Sequence, residues 1–219
     1  MYKRDPGLGE QVRKRLKDLK LLGPMQPKGS SAPPNKDAIS AHFQAVLLEM
    51  NLDVHDPSIE KTSARVAKMY VDEIFHGLDY NNFPACMVQP REGYDEMVCE
   101  KGITVHSMCE HHFVPFIGRA AVAYIPAKKI IGLSKLNRIV DFFCRRPQVQ
   151  ERLTAQICRT LQFVLESDSV AVVIQAEHLC VKLRGAKDQH SDTVTSMMMG
   201  KFRDQAALRA EFLALSRKD

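Results

Sequence analysis

The chain has 219 residues, 45% of them hydrophobic and 26% charged, with a formal net charge of +5. This is globular composition, long enough for one full domain plus an arm. No apolar run is long enough to span a bilayer, and so mild a basic excess suits an anionic small molecule as well as nucleic acid.

The N-terminus, MYKRDPGLGEQ, is basic without an apolar stretch behind it, so no signal peptide is expected. Six cysteines in a chain of this size do not suggest a disulfide framework. Free and metal-bound thiols in a reducing, cytoplasmic setting are expected instead. Residues 1–36 read as an arm. A short basic amphipathic helix is predicted over 11–22, with Val12, Leu16, Leu19 and Leu22 on one side. A Pro/Gly/Ser-rich linker, residues 23–34, follows. The arm is expected to be a mobile tail or a packing helix in an oligomer, its apolar face being too narrow for a membrane helix.

The catalytic domain is expected over 37–219, with a helical part over 37–93 and a sheet-bearing core over 94–219. Helical spacing recurs at Ile39, Phe43, Val46, Leu47 and Met50, and again over 59–75. Residues 81–93 read as loop. Strands are predicted over 96–105 and 113–125, with residues 109–112 at the tight connection between them. Helices follow over 135–145 and 148–167. A strand begins at Val170 and is expected to run on through His178 and Cys180, another spans 192–199, and a helix over 206–215 closes the chain. The core order is β-β-α-α-β-β behind N-terminal helices, an α+β arrangement.

The most informative stretch is Cys109-Glu110-His111-His112. Cys109 and His112 stand in a C-x-x-H spacing that lets two side chains grip one ion, and Cys180 offers a second thiolate. Two thiolates and one imidazole make a zinc set with a corner left for water, where hydrolytic chemistry takes place. A lone cysteine is more often a small buried hydrophobe, and Cys144 and Cys158 are read so. On an extended chain His111 points away from His112, which suits a general acid or base rather than a ligand. His178, two residues before Cys180, is placed on the same strand face, beside the ion. For both histidines the milder reading is support of the metal's ligands.

Lys135 and Arg138 occupy one helical turn after Gly132-Leu133-Ser134, with Ser134 at the expected N-cap. Free N–H groups there favour an anion, and Arg184 is a further cation. By itself this is as well read as a solvated basic face. It is neither a P-loop nor a dinucleotide fingerprint. Gln150-Glu151 begins the next helix, and a carboxylate there can accept two N–H donors from a guanine-like edge.

Assembled, these residues resemble GTP cyclohydrolase I from about Asp37 to the C-terminus. The resemblance rests on four ordered blocks: SMCEHH from Ser107, GLSKLNR from Gly132, RPQVQERL from Arg146, and EHLC from Glu177 with Arg184-Gly185. It implies zinc on Cys109, His112 and Cys180, and catalytic roles for His111, His178 and Ser134. It implies triphosphate contacts at Ser134, Lys135, Arg138 and Arg184, and guanine reading by Gln150 and Glu151. Arg65 and Lys68 match positions that reach the phosphates from a neighbouring subunit. The implied fold is a tunnelling fold (T-fold), an antiparallel sheet with helices outside, closed into a barrel by oligomerisation. The implied assembly is a homodecamer with sites at subunit interfaces. The implied reaction converts GTP to 7,8-dihydroneopterin triphosphate with release of formate, opening tetrahydrofolate and pterin synthesis. Gly102 departs from the family's usual acidic or amide residue, and is expected to loosen its strand.

Three rivals stand beside this reading. A different T-fold purine or pterin enzyme would lack the Cys/His/Cys set. A zinc-stabilised nucleotide-binding module without turnover would close the metal with His106 or Glu110. A nucleic-acid binder would need aromatic residues among its basic ones, and the chain has no Trp. Neither nucleic acid nor membrane is expected as a partner.

Overall fold

A computed structural model of the chain describes residues 2–26 and 33–217. Residues 27–32 of the expected linker lie outside the described residues. Helix α1, Pro6–Asp18, starts at an Asp5 cap whose carboxylate accepts from Leu8 N at 2.9 Å, with Pro6 at the first helical position. Its Val12 and Leu16 are buried in the main core. Gly9 permits the close approach, since a Cβ there would lie 2.1 Å from Tyr80 O. The helix expected over 11–22, in an arm read as a mobile tail or an oligomer-packing helix, therefore packs in this chain's own core, and it starts five residues earlier than its apolar spacing indicates because Asp5 and Pro6 set its start.

Helices α2, Lys36–Glu49, and α3, Thr62–Lys68, pack on each other. A wider π-helical turn, Met69–Ile74, continues α3. Tyr70 and Phe75 reach Phe113 at ring separations of 6.1 and 5.3 Å, which joins this helical part to the loop at residues 110–114.

The sheet has five strands in the order β5-β2-β3-β6-β7. They are β2, Val98–Cys109; β3, Pro115–Tyr124; β5, Pro147–Gln148; β6, Val170–His178; and β7, Thr193–Met198. All pairs are antiparallel except the short β2–β5 contact, which is parallel at Met108↔Pro147 and Cys109↔Gln148. A separate two-stranded piece joins β1, Val88–Pro90, to β4, Lys129–Ile131. Residues 81–93, expected as loop, thus contain the short strand β1. Gly102, at φ 74°, sits where the β2–β3 register slips between Glu100 and Ile103, which is a bulge. The slip bends β2 without ending it.

Helices α4, Leu133–Cys144, and α5, Gln150–Leu165, cover one face of the sheet. Leu136, Ile139, Phe142, Phe143, Leu153, Ile157 and Leu161 are fully buried against Val105, Val122, Val172 and Ile174. A smaller cluster of Ala121, Ala123, Ala171 and Phe202 with Phe212 of α8, Ala206–Ser216, lies apart from it. One-turn helices α6, Leu179–Lys182, and α7, Lys201–Asp204, complete the chain. The architecture is α+β. No helix of the described residues is long and apolar enough to cross a membrane.

Candidate active site

β2 ends at Cys109, where the chain reverses. Phe113 takes φ 52°, its N–H donates to Cys109 O at 2.9 Å, and Cys109 N donates to Val114 O at 2.9 Å. This tight loop puts His112 back over Cys109, with Sγ to Nδ1 at 3.9 Å. Cys180 arrives from α6. The ligand atoms of Cys109, His112 and Cys180 all lie within 4.8 Å of one another. Around a tetrahedral zinc, sulfur and nitrogen ligands about 2.0–2.3 Å from the ion sit roughly 3.3–3.8 Å apart. A small closure would seat an ion, so the residues fit the metal. Burial raises the Cys180 thiol pKa, and the neighbouring Cys109 thiol raises it further. A cation between the sulfurs would remove that repulsion.

Two local expectations change. His111 does not turn away as on an extended strand, because residues 110–113 form a turn. Its Nδ1 lies 3.7 Å from Cys109 Sγ, although it falls outside the three-residue group. Cys180 does not share a strand with His178, since β6 ends at His178 and α6 carries Cys180. The helical turn still brings Cys180 to the end of β2.

His178 is half-buried, stacked on Phe116 at 4.7 Å, with Nε2 2.8 Å from Gln150 Oε1. Burial lowers its pKa, against a smaller upward pull from Glu151. Gln150 is 1% exposed, and its Nε2 donates to Ile174 O, Thr193 O and Thr195 Oγ1 at 3.0, 2.9 and 3.1 Å. Those acceptors fix the amide's orientation, so Oε1 faces His178 and Nε2 of the imidazole carries the hydrogen. In this structure Gln150 is spent on His178 and does not face solvent. Glu151 beside it is exposed.

Glu110 is drawn away from the sulfurs. Arg152 holds it with two hydrogen bonds, Nη1 to Oε2 at 2.6 Å and Nη2 to Oε1 at 3.0 Å, which keeps its carboxyl below the usual range. Sequence reasoning missed this pair. The two residues are 42 apart, and neither carries a spacing signal.

The basic residues are not all gathered here. Arg184 of the α6 end places Nη1 2.8 Å from His112 Nε2. Ser134, Lys135 and Arg138 lie elsewhere. Gly132 is the N-cap of α4 and Ser134 sits inside its first turn, because Lys135 N donates to Gly132 O at 2.8 Å. This end of α4 is tied to the start of β2, with Asn137 Nδ2 3.3 Å from Glu100 Oε1. The far end of α4 reaches the metal end of β2, where Ser107 Oγ donates to Cys144 O at 2.8 Å. Glu100 and Cys109 are nine positions apart along β2, on the order of 25–30 Å. Lys135 and Arg138 therefore stand at the opposite end of the sheet from Cys109, His112 and Cys180 of the same chain. Arg65 and Lys68 are exposed on α3.

Comparison with known proteins bears on the family. The sequence model of the family described as GTP cyclohydrolase I matches residues 39–217. GTP cyclohydrolase 1 of Vibrio parahaemolyticus is 52% identical over 211 residues, covering 94% of this chain and 97% of the relative. GTP cyclohydrolase 1 of Shewanella amazonensis is 52% identical over 205 residues, covering 93% and 95%. A match through most of the fold and at this identity places the chain in the GTP cyclohydrolase I family.

Proposed function

We propose that the protein hydrolyses and rearranges GTP to 7,8-dihydroneopterin triphosphate with release of formate. Within the family assignment, the observation that carries this is the convergence of Cys109, His112 and Cys180 beside two histidines that are not needed as ligands. Cys109, His112 and Cys180 would hold zinc, which supplies Lewis-acid activation of water for hydrolysis.

The chain's own residues divide the remaining work. His178, with its Nε2 hydrogen held by Gln150, keeps Nδ1 for taking up and delivering a proton at the imidazole ring of guanine. Its lowered pKa leaves it largely neutral near pH 7, so it can accept before it donates. His111 is exposed beside the metal ligands and serves the proton transfers of ribose opening. Glu151 receives the guanine N–H edge, and Arg184 a phosphate. Ser134 assists the later rearrangement.

The separation of Ser134, Lys135 and Arg138 from the metal group supports a site completed by another copy of the chain. A second copy would bring its α4 start, and a third the Arg65 and Lys68 of α3. The surface suits such an assembly. β7 is an edge strand with Val194 exposed, and α2 buries no residue while Val46, Leu48 and Met50 lie exposed. Open strand edges and apolar helix faces of this kind ask for cover. We read this as T-fold barrel closure in a homodecamer, in the cytoplasm.

Incubation of the zinc-loaded protein with GTP tests the reading. Formate and a pterin that fluoresces after oxidation should appear in equal amounts. Binding of GTP with no formate would leave a nucleotide-binding module and defeat the enzyme reading.

A further inference from the structure

We propose that the N-terminal segment around Leu21 to Gly23 is a positioning element of the active site, setting the metal-bearing loop through two side-chain connections. The inference rests on the assignment of Cys109, His112 and Cys180 as the metal ligands.

The first connection is a relay of two buried amides. After α1 the chain turns at Lys20, φ 56°, and Leu21 N donates to Leu16 O at 2.8 Å. Leu21 O then accepts from Gln156 Nε2 at 2.7 Å. Gln156 is 0% exposed, and its Oε1 accepts from Gln148 Nε2 at 2.7 Å. Gln148 Nε2 also donates to Phe143 O at 3.1 Å. The carbonyls at the two ends, Leu21 O and Phe143 O, can only accept, so neither amide can be turned around. Gln148 Oε1 is buried without a partner among the described residues, and turning the amide would set that oxygen against the two acceptors of its Nε2. The backbone of Gln148 is the strand partner of Cys109, and its carbonyl accepts from Glu110 N at 3.0 Å.

The second connection lies under Gly23. A Cβ at that position would stand 2.7 Å from Arg152 Nη1. The missing side chain lets the arm lie against the guanidinium that holds Glu110. The Glu110 side chain is 9% exposed and Arg152 18%, so this is a shielded ion pair with fork geometry rather than a surface contact. Glu110 stands between the ligand Cys109 and His111-His112, and its Oε1 is 4.0 Å from His111 Nε2. Arg152 thus decides where Glu110 sits, and Glu110 bears on the direction of the His111 ring. Both connections end on residues 109–111, from the backbone side and from the side-chain side. The anchor is firm, because Val12 and Leu16 fix α1 in the core.

The test compares Gly23→Val, Gln156→Leu and Arg152→Lys with the native chain, each loaded with cobalt(II) in place of zinc. Gly23→Val pushes on the guanidinium from the arm, and Arg152→Lys keeps the charge but loses the fork. The visible absorption of thiolate-bound cobalt reports the geometry of its ligands independently of turnover. Well below the melting temperature, Gly23→Val and Arg152→Lys should shift those bands. They should also lower kcat about tenfold to a hundredfold with KM for GTP within about twofold. Gln156→Leu should do the same more weakly. If the variants melt earlier but keep the native spectrum and kcat, the contacts merely hold the fold and the proposal is overturned. Should Gly23→Val fail to fold, Arg152→Lys decides alone. Cys109→Ser is the control for the underlying assignment: if it keeps the cobalt bands, the metal site itself is misread. If it loses them while the arm variants look native, only the role of the arm falls.

Discussion

Arg184 Nη1 lies 2.8 Å from His112 Nε2, and this contact cannot coexist with a metal on His112. A guanidinium only donates, so Nε2 accepts and Nδ1 carries the hydrogen. A metal on Nε2 displaces Arg184 directly. A metal on Nδ1 moves the hydrogen to Nε2, where it faces another donor. With His112 on the metal, the neighbouring Arg184 guanidinium would be open to a phosphate. Arg184→Ala should leave zinc affinity equal or a few-fold tighter in a chelator competition. It should raise KM for GTP about 10- to 100-fold, the worth of a charged hydrogen bond of about 1.5–3 kcal/mol. Zinc affinity weakened a hundredfold would show instead that Arg184 supports the ligand.

Cys109→Ser and Cys180→Ser should each lose zinc on gel filtration, read by atomic emission, and formate release should drop by more than about a hundredfold, beyond the usual effect of residues behind a ligand. Cys109 is 7% exposed at a strand end and Cys180 sits on a one-turn helix. Neither change opens a large cavity, so far-UV circular dichroism should stay native. A serine variant that keeps one zinc per chain would dismiss the three-residue ligand set.

The sequence made the closeness of Cys109 and His112 legible because C-x-x-H is a local spacing, and a local turn realises it. The apolar periods gave β2, β3, α4, α5 and β6 within a few residues. What escaped depends on distance in sequence. Glu110 finds Arg152 across 42 residues, and Gln156 finds Leu21 across 135. No pattern in one chain marks such pairs. The turn at Phe113 also escaped, since positive φ at a phenylalanine is rare, and it undid the alternation argument for His111. The distance between Lys135 and Cys109 follows from α4 being tied along β2, a matter of packing that spacing does not reveal.

Alkaline pH should weaken the fold through its buried thiols. Burial pushes Cys86, Cys144 and Cys158 each to about 12 from 9.0. In the unfolded chain they ionise near 9, so the native state binds more protons between those limits. The stability they contribute is full below pH 9 and is lost as pH rises toward 12. Denaturant midpoints should fall across that window, and Cys144→Ala should make the fall shallower. In the native protein at pH 8, iodoacetamide should leave Cys144 and Cys158 unmodified, as peptide mass mapping would show. A midpoint flat from pH 8.5 to 11 would contradict the assignment.

Arg146 is the largest fully buried side chain among the described residues, and its guanidinium is held at both Nη atoms while Nε has no partner. It lies 5.0, 4.6 and 4.9 Å from the ring centroids of Tyr80, Phe142 and Phe143. It donates to Tyr80 Oη at 3.0 Å and to Gly77 O. Three ring faces and two acceptors offset much of the cost of burying the charge, although burial still lowers its pKa. Arg146→Ala leaves a cavity and an unpaired carbonyl, for about 4 kcal/mol, or about 10 °C in Tm for a chain of this size. Arg146→Met refills the slot but leaves Gly77 O without its donor, and should cost about half as much. Arg146→Lys keeps a charge yet cannot span both acceptors while lying flat on the rings, so it should fall between the two. The ranking Ala, Lys, Met from least to most stable separates the polar contribution from the volume. If Met proves as destabilising as Ala, the hydrogen bonds carry the site; if Lys matches the native chain, charge alone is enough and the fork geometry is irrelevant.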